Sequence, residues 1–559
     1  MQWLWAIVTL VTMALLVGLC HRPLGDYIAW VFSSDKDWLI ERVIYRLAGV
    51  NPKREQTWRA YLRALLVFSA VGLILLYLLQ RCQPWLPLSG GAGAVPPDQA
   101  FNTAVSFVTN TNWQSSAPDQ SLGYTVAMAG LTVQNFVSAG VGLAVAIALI
   151  RGLTRRRATT IGNFWVDLTR ACLRLLAPGA LIAAIILLAG GVIQNLHGGV
   201  DITTVAGGPQ TLPGGPVASQ EAIKLLGTNG GGFFAANSAH PYENPAGWTN
   251  LFEAFLLLVI PFALPRTFAT MAKDARIGRT ITATMATLFT LVYAAISYFE
   301  LGAHSSAAGV AGASMEGKED RFGLIGSILF ATATTGTSGG ATDSAHESYT
   351  ALSGLFMMIH MLAGELSPGG VGAGLYTIVI MAVIAVFLTG LLLGRAPIFV
   401  GKRIGVPQVK LAGLTILVLP VLVLVGLAVS FAIPGVKAEL VGQAMGAPGA
   451  QGLSESLYAF ISCAVNNGSA FAGFQANTPF LNTILGVIML FGRFLVIALV
   501  LALAGSFASQ DHVPIALTEL PLHHAQFIAL LVALIIFIAV PTFGPVLALG
   551  PVAVGLGQP

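Results

Sequence analysis

Long apolar runs, broken by short polar segments, set the frame of this chain. A membrane-spanning helix needs about 20 mostly apolar residues. Ten stretches meet that length, roughly 2–20, 60–80, 124–150, 172–193, 249–270, 280–300, 350–393, 411–433, 480–507 and 525–548. They predict an all-α polytopic membrane protein. Four of the connections carry a further apolar run, too short to cross, then a polar string of small residues. The strings are Thr-Asn-Thr-Asn (109–112), Thr-Asn-Gly-Gly-Gly (228–232), Gly-Thr-Ser-Gly-Gly (336–340) and Asn-Asn-Gly-Ser (466–469). With Asn112, Gly230, Gly340 and Gly468 taken as equivalent, the separations are 118, 110 and 128 residues. A near-constant period of this size is an internal repeat. It predicts four span–pore-helix–span units around one pore, at 60–150, 151–270, 271–394 and 395–507. Residues 1–59 then form an extra span with its loop, and 508–559 an extra final span. Ser219-Gln220-Glu221 and Ser454-Glu455 read as helix start signals for two of the half-spans.

Composition narrows the class. Charged residues make up 9% of the 559 and apolar residues 55%, where soluble domains have about 25% charged. That excludes a soluble enzyme, a nucleic-acid binder and a disordered chain. Of the 28 Lys and Arg, 22 fall in segments 21–63, 151–174, 266–279 and 395–410. The positive-inside rule makes those segments cytoplasmic and puts both termini outside. Segment 508–524 belongs with them yet has no Lys or Arg, and is the weak point of this topology. The first stretch lacks a basic flank before it and has His21-Arg22 after it, the reverse of a secretory signal. Cys20, Cys82, Cys172 and Cys463 show no metal spacing.

The strings offer hydroxyls, amide oxygens and backbone carbonyls without a carboxylate. Irregular backbone at membrane depth is tolerated where it lines a polar cavity. A short helix entering from outside aims its partially negative carboxyl end at the membrane middle. A ring of such neutral dipoles suits a weakly hydrated monovalent cation, whereas a divalent site calls for carboxylates. Below the strings, stretch 350–393 is twice the length of a straight span. It holds Ser367-Pro368-Gly369-Gly370-Val371-Gly372-Ala373-Gly374, a breaker cluster. No Lys or Arg lies between His360 and Gly394, so the expectation is an intramembrane loop crossing the conduction path. Glu365 and Arg493 are the intramembrane charges beside it, and such groups are functional by default. Arg493 is expected to pair with a carboxylate such as Glu365, to form a positive barrier, or both. Glu300 and His304 are expected near the outer surface and solvated, with Lys318 and Arg321 on an exposed charged face. Trp113 is expected to position pore helices, and Trp248 to sit in an interfacial belt.

At this point the residues resemble a known family. NTAVSFVTNTNWQS (102–115), GPVASQEAIKLLGTNGGGFFAANSAHPYENP (215–245), SMEGKEDRFG (314–323), NNGSAFAGFQAN (466–477) and LALGPVA (547–553) are similar to KdpA sequences, the potassium-translocating subunits of bacterial Kdp-type K+-transporting ATPases. The resemblance covers essentially the whole chain. It implies K+ as the transported ion and a four-repeat potassium-transporter architecture in the bacterial inner membrane. It also implies a complex with a P-type ATPase catalytic subunit, a single-span accessory subunit and a small membrane peptide. Carried across residue by residue, the filter groups would be Asn110, Thr111, Asn112, Thr228, Asn229, Gly230, Ser338, Gly339, Gly340, Asn466, Asn467 and Gly468. Gln114 resembles a family position at the filter mouth that affects potassium affinity. Gly339 departs from the Cys that family members can carry there, which leaves a carbonyl and no thiol.

The residues explain why partners are needed. The sequence has no G-x-x-x-x-G-K-[ST] loop and no Asp-Lys-Thr-Gly phosphorylation motif, so ATP chemistry falls to another chain. An uphill pump must also block a straight route inward, and 367–374 with Arg493 are the candidates. Two alternatives stand beside this reading. One is a passive or ion-coupled K+ transporter of the same superfamily with a nucleotide-binding regulatory ring. The other is an intramembrane metalloenzyme built on His360 and Glu365, whose i, i+5 spacing without a second His is a weak metal pattern.

Overall fold

The structure is a computed structural model that describes residues 1–302, 314–364, 366–513 and 524–557. Among the described residues, ten helices are long and apolar enough to cross a membrane. They are Gln2–Ser33, Trp58–Trp85, Val126–Thr154, Phe164–Ala189, Gly247–Ala272, Ala275–Leu301, Ala373–Leu393, Val406–Ala432, Pro479–Ala508 and Ala525–Gly555. The chain is an all-α polytopic membrane protein. Among the described residues, sheet is confined to two hairpins, Val200–Thr203 with Pro209–Leu212 and Ile398–Phe399 with Lys402–Arg403. Val126–Thr154 and Gly247–Ala272 are the most enclosed spans, with 83% and 78% of their apolar windows buried, against 17% for Gln2–Ser33. The first two wall the centre; Gln2–Ser33 lies at the periphery with most of its apolar window exposed.

The first helix is longer than its apolar run. It continues through Pro23 to Ser33, over residues expected to be loop. Tertiary contacts carry it past the proline. His21 Nδ1 bonds the Phe262 carbonyl at 2.8 Å, and Asp26 pairs with Arg266 at 2.8 Å. The short amphipathic helix Leu39–Leu47 follows, anchored by the fully buried Glu41–Arg174 pair at 2.5 Å.

The basic segments gather on one face. Gln56 pairs with Gly162 in a β-bridge. Lys402 Nζ donates to the carbonyls of Arg155 and Gln510, and Val513 N–H donates to the Gly401 carbonyl. Residues 508–513 therefore share a face with 151–163 and 395–405, although they carry no Lys or Arg.

On the opposite side four short helices dip inward: Pro97–Val108, Val217–Leu226, Gly323–Gly336 and Gly449–Val465. Their lengths of 12, 10, 14 and 17 residues give about 15–26 Å at 1.5 Å per residue. That is short of the roughly 30 Å hydrocarbon core. The expected start signals are displaced. Ser219 and Ser454 lie inside their helices, which begin after Pro216 and Pro448. Glu455 instead folds back to accept from Gly446 and Ala447 N–H at 2.7 and 3.0 Å. A second correction concerns Glu300 and Lys318. Both side chains are fully buried and pair at 3.3 Å, with Lys318 Nζ 4.1 Å from the Tyr349 ring centre. The acid and the ring compensate the ammonium, so it tolerates burial. His304 lies outside the described residues.

Candidate ion filter

Each pore helix ends where its polar string begins: Val108 before Thr109, Leu226 before Gly227, Gly336 before Thr337 and Val465 before Asn466. The strings share a backbone turn. The four positions aligned from spacing alone all have positive φ: Asn112 at 55°, Gly230 at 105°, Gly340 at 62° and Gly468 at 104°. Two residues earlier, Asn110, Thr228 and Asn466 are left-handed as well, at 65°, 47° and 62°. One residue before the aligned position, the N–H reaches five residues back. Thr111 donates to Ser106, Asn229 to Lys224 and Asn467 to Ser462, at 2.8–2.9 Å. The third string keeps only the positive φ at Gly340.

The strings close into a ring. A Cβ on Gly230 would strike the Gly339 carbonyl, one on Gly340 the Asn467 carbonyl, and one on Gly468 the Thr111 carbonyl. In the first string Asn112 carries the Cβ that the other three lack. Its side chain sits against Gly231, where an added Cβ would meet it. The order around the axis is thus first, second, third, fourth, first.

Asparagine amides bind the seams. Between strings one and two, Asn110 Nδ2 donates to the Thr228 carbonyl at 2.8 Å, and Asn229 Nδ2 to Asn110 Oδ1 at 2.6 Å. Between three and four, Asn467 Nδ2 donates to the Thr334 and Thr337 carbonyls at 2.8 and 2.9 Å. Between four and one, Asn466 Nδ2 donates to Thr111 Oγ1 at 2.9 Å. The nitrogen ends of these amides are engaged in holding the strings together, while Asn229 Oδ1 is buried without a hydrogen-bond partner. A packed ring of carbonyls, without a carboxylate among residues 109–112, 228–232, 336–340 and 466–469, can replace the water shell of a large monovalent cation. Helix carboxyl ends abutting the strings add partial negative charge.

Comparison with known proteins gives the family. Residues 10–556 match the family described as Potassium-transporting ATPase A subunit, KdpA. The chain is 57% identical over 558 residues to the potassium-transporting ATPase potassium-binding subunit of Clavibacter michiganensis subsp. michiganensis, covering 100% of both chains. It is 54% identical to the protein of that name from Cutibacterium acnes, again over 100% of both. The Mycobacterium avium counterpart is 52% identical, over 98% of this chain and 99% of that one. The chain belongs to the KdpA family.

In this KdpA-family chain the long seventh stretch divides into Ala351–Leu362 and Ala373–Leu393. The residues between them press against the strings. Gly369 N–H donates to the Gly336 carbonyl at 2.7 Å. Val371 N–H donates to Thr228 Oγ1 at 2.9 Å. Gly370 abuts the Ser338 side chain and leaves no room for a Cβ, and Gly372 packs on the Gly142 carbonyl. Pro368 follows a cis peptide, and its carbonyl lies against Gly374. Ser367 Oγ contacts His360 Nε2, while His360 Nδ1 meets Thr335 Oγ1 at 3.2 Å. Both ring nitrogens are thus engaged by hydroxyls. Arg493, 4% exposed, points Nη2 at the Ser138 carbonyl, 3.4 Å away, next to Gly142. Glu365 lies outside the described residues. Gln114 Nε2 donates to the Gly232 carbonyl at 3.4 Å.

Several residues behind the strings escaped sequence reading. Ser138 Oγ donates to Asn110 Oδ1 at 2.8 Å. A chain of hydroxyls and imidazole runs from His346 through Tyr458 and Ser469 to Asn467, with contacts of 2.9, 2.8 and 2.6 Å. Asn237 Nδ2 donates to the Gly230 carbonyl at 2.7 Å. The only local signal was polarity in otherwise apolar or glycine-rich stretches.

Proposed function

We propose that the chain binds K+ at an outward-facing filter built from the four strings and passes it across the membrane. It acts as the channel-like subunit of an ATP-driven, high-affinity K+ uptake complex. The observation that carries this is the closed ring of uncharged strings with a common backbone turn. K+ as cargo is supported by the names of the relatives, which are potassium-binding subunits of potassium-transporting ATPases. The complex supplies what the sequence lacks: a P-type ATPase catalytic subunit that hydrolyses ATP, with a single-span accessory subunit and a small membrane peptide. The chain sits in the bacterial inner membrane with both termini outside, because the basic face is cytoplasmic.

Selection occurs at the strings, where carbonyls of Thr111, Asn229, Gly339 and Asn467 at one level, and of their neighbours above and below, take over from water. Gln114 tunes capture at the mouth. The loop 367–374 fills the vestibule below, and Arg493 sets a positive charge beside it, so ions do not run back down the gradient. A cavity of about 110 Å³ touches Asn466, Gly492 and Arg493 and extends between Ala373–Leu393, Val406–Ala432 and Ala525–Gly555 toward Thr542 and Phe543. It supports a sideways exit toward the ATPase subunit.

The test is purification from native membranes, identification of the co-purifying chains, and measurement of ATP hydrolysis in liposomes. K+-stimulated hydrolysis coupled to uptake supports the proposal. Co-purification with a nucleotide-binding ring and no ATPase would instead make the chain a passive or ion-coupled transporter.

A further inference from the structure

Three of the four seams are held by amides that belong to the strings. The seam between the second and third strings is held differently. Its amide is Asn237, which lies seven residues beyond Gly230. Asn237 Nδ2 donates to the Gly230 carbonyl at 2.7 Å, and Asn237 Oδ1 accepts from Thr342 N–H, just past the third string, at 3.4 Å. What sets this side chain apart is a charge behind it. Lys224 Nζ donates to Asn237 Oδ1 at 2.9 Å and to Ser238 Oγ at 3.0 Å. The same ammonium pairs with Glu221 at 2.6 Å and Glu243 at 2.9 Å, and all three charged side chains are buried.

An asparagine amide can present either end to a neighbour, and its partners decide which. Here Ser238 N–H and Thr342 N–H donate to Oδ1 at 2.9 and 3.4 Å, and the Lys224 ammonium adds a charge to that choice. It attracts Oδ1 and repels the amide hydrogens, and at low dielectric that preference is strong. With Oδ1 fixed, Nδ2 can only face Gly230. The reversed amide would set oxygen against the Gly230 carbonyl and force that peptide to rotate. Glu243 steadies the arrangement from the other side, since its Oε1 accepts from Phe234 N–H at 2.8 Å and ties down the chain leading to Asn237. The Lys224 carbonyl itself accepts from Asn229 N–H at 2.8 Å, so one residue holds the second string by both backbone and side chain.

We propose that Lys224 is a positioning residue for ion selection. By holding the Asn237 amide in one orientation, it fixes the Gly230 carbonyl and the coordination geometry of the second string. This rests on the potassium-filter reading above. Lys224 touches no ion; its effect passes through Asn237.

The experiment uses the intact complex in liposomes and reads half-saturating K+, maximal ATPase rate, and stimulation by Rb+ and Na+. Asn237→Asp is nearly isosteric. It keeps an oxygen for Lys224 but turns the donor facing Gly230 into an acceptor. The expected result is a rise of at least tenfold in half-saturating K+ and reduced discrimination against Rb+ and Na+, with the maximal rate within twofold of wild type. A structural defect alone would lower the maximal rate or the yield instead. Lys224→Met by itself strands the two carboxylates paired with it, so the companion is the triple variant Lys224→Met, Glu221→Gln, Glu243→Gln, which removes these three charges together and leaves the buried Glu253 unchanged. It should show the same split. Wild-type half-saturation and ion discrimination in an assembled Asn237→Asp complex overturn the proposal. If that variant does not assemble, the same result in the triple variant overturns it. A wild-type complex without selective K+ stimulation would sink the filter reading itself, which is a different outcome.

Discussion

The hydroxyl of Thr228 accepts the backbone N–H of Val371 at 2.9 Å, so the second string and the loop beneath it are tied by one hydrogen bond. String and loop are parts of one packed unit. Deleting Gly369 to Gly372 removes the backbone that fills this space and leaves the strings intact. The expected outcome is K+ flux down its gradient without ATP, still selective against Na+, with weaker coupling of hydrolysis to uptake. Thr228→Val, which loses the acceptor and keeps the shape, should leak less than the deletion and more than wild type. Arg493→Met should also leak if its charge is part of the barrier. ATP-free flux from liposomes containing folded deletion protein, measured no higher than wild type, would remove the loop from the ion path.

Carboxylates in the ring should blur selection. Gly468→Asp adds a charge to a filter of neutral dipoles and places a side chain where the Thr111 carbonyl lies. Discrimination between K+ and Na+ in uptake competition is expected to fall, and Gly230→Asp should act likewise against Gly339. Unchanged selectivity in both would contradict the assignment of the strings.

Gln114→Arg should raise half-saturating K+ while the complex still assembles. Gln114 Nε2 lies 3.4 Å from the Gly232 carbonyl at the end of the second string, the place proposed above for ion capture. Repulsion between two unit charges at roughly 4 Å is about 4 kcal/mol with an effective dielectric near 20, and salt screening reduces that at an open mouth. A titration of ATPase activity against K+ reads the shift; an unchanged midpoint would put Gln114 off the path.

Away from the filter, the buried Arg174–Glu41 pair should matter for stability. Arg174→Met leaves Glu41 buried and unpaired, which costs about 3–5 kcal/mol. Replacing both partners with Met and Gln should recover most of the loss. Thermal unfolding in detergent, compared across single and double variants, checks this.

The loop cluster on the basic face carries a pH signature. Burial pushes the Lys402 ammonium down to about 8, from an ordinary 10.5. Below that value the group is charged in both folded and unfolded states, and the cost of burying it persists. Between about 8 and 10.5 the folded protein has lost the proton and the unfolded chain retains it, so stability rises with pH in that window. The melting temperature of wild type relative to Lys402→Met should therefore climb as pH is raised through this range. A difference that stays flat would show that Lys402 ionises freely.

Much of the fold was readable because its signals are local. Apolar runs located the spans, and the spacing of four polar strings located positions that share positive φ in the structure. What escaped depends on distant partners. Gln2–Ser33 outruns its apolar run because Asp26 meets Arg266, 240 residues away. Lys318 looked like surface until Glu300 and Tyr349 enclosed it. Asn237 looked like loop polarity, because its sequence does not reveal that the chain turns back to set it against the Gly230 carbonyl and the third string. Serines at 219 and 454 resembled caps by residue type, while the turn that starts each helix is set by the preceding proline. In the strings, side chains were readable as polar but not as neighbours: Asn110 and Asn467 reach across to other repeats.

Asn112 breaks the fourfold pattern by carrying a side chain where the other strings have glycine, and the break is possible only because the ring is written once, in a single polypeptide. In an assembly of four identical subunits, any change at this position would appear in every quadrant at once, and most would be ruinous. Here each quadrant can be altered alone. One wall can take a bulky amide, another a buried ammonium at Lys224 behind it, and a third the packing of Gly370 on Ser338. The ring can thus be varied on each of its four sides independently.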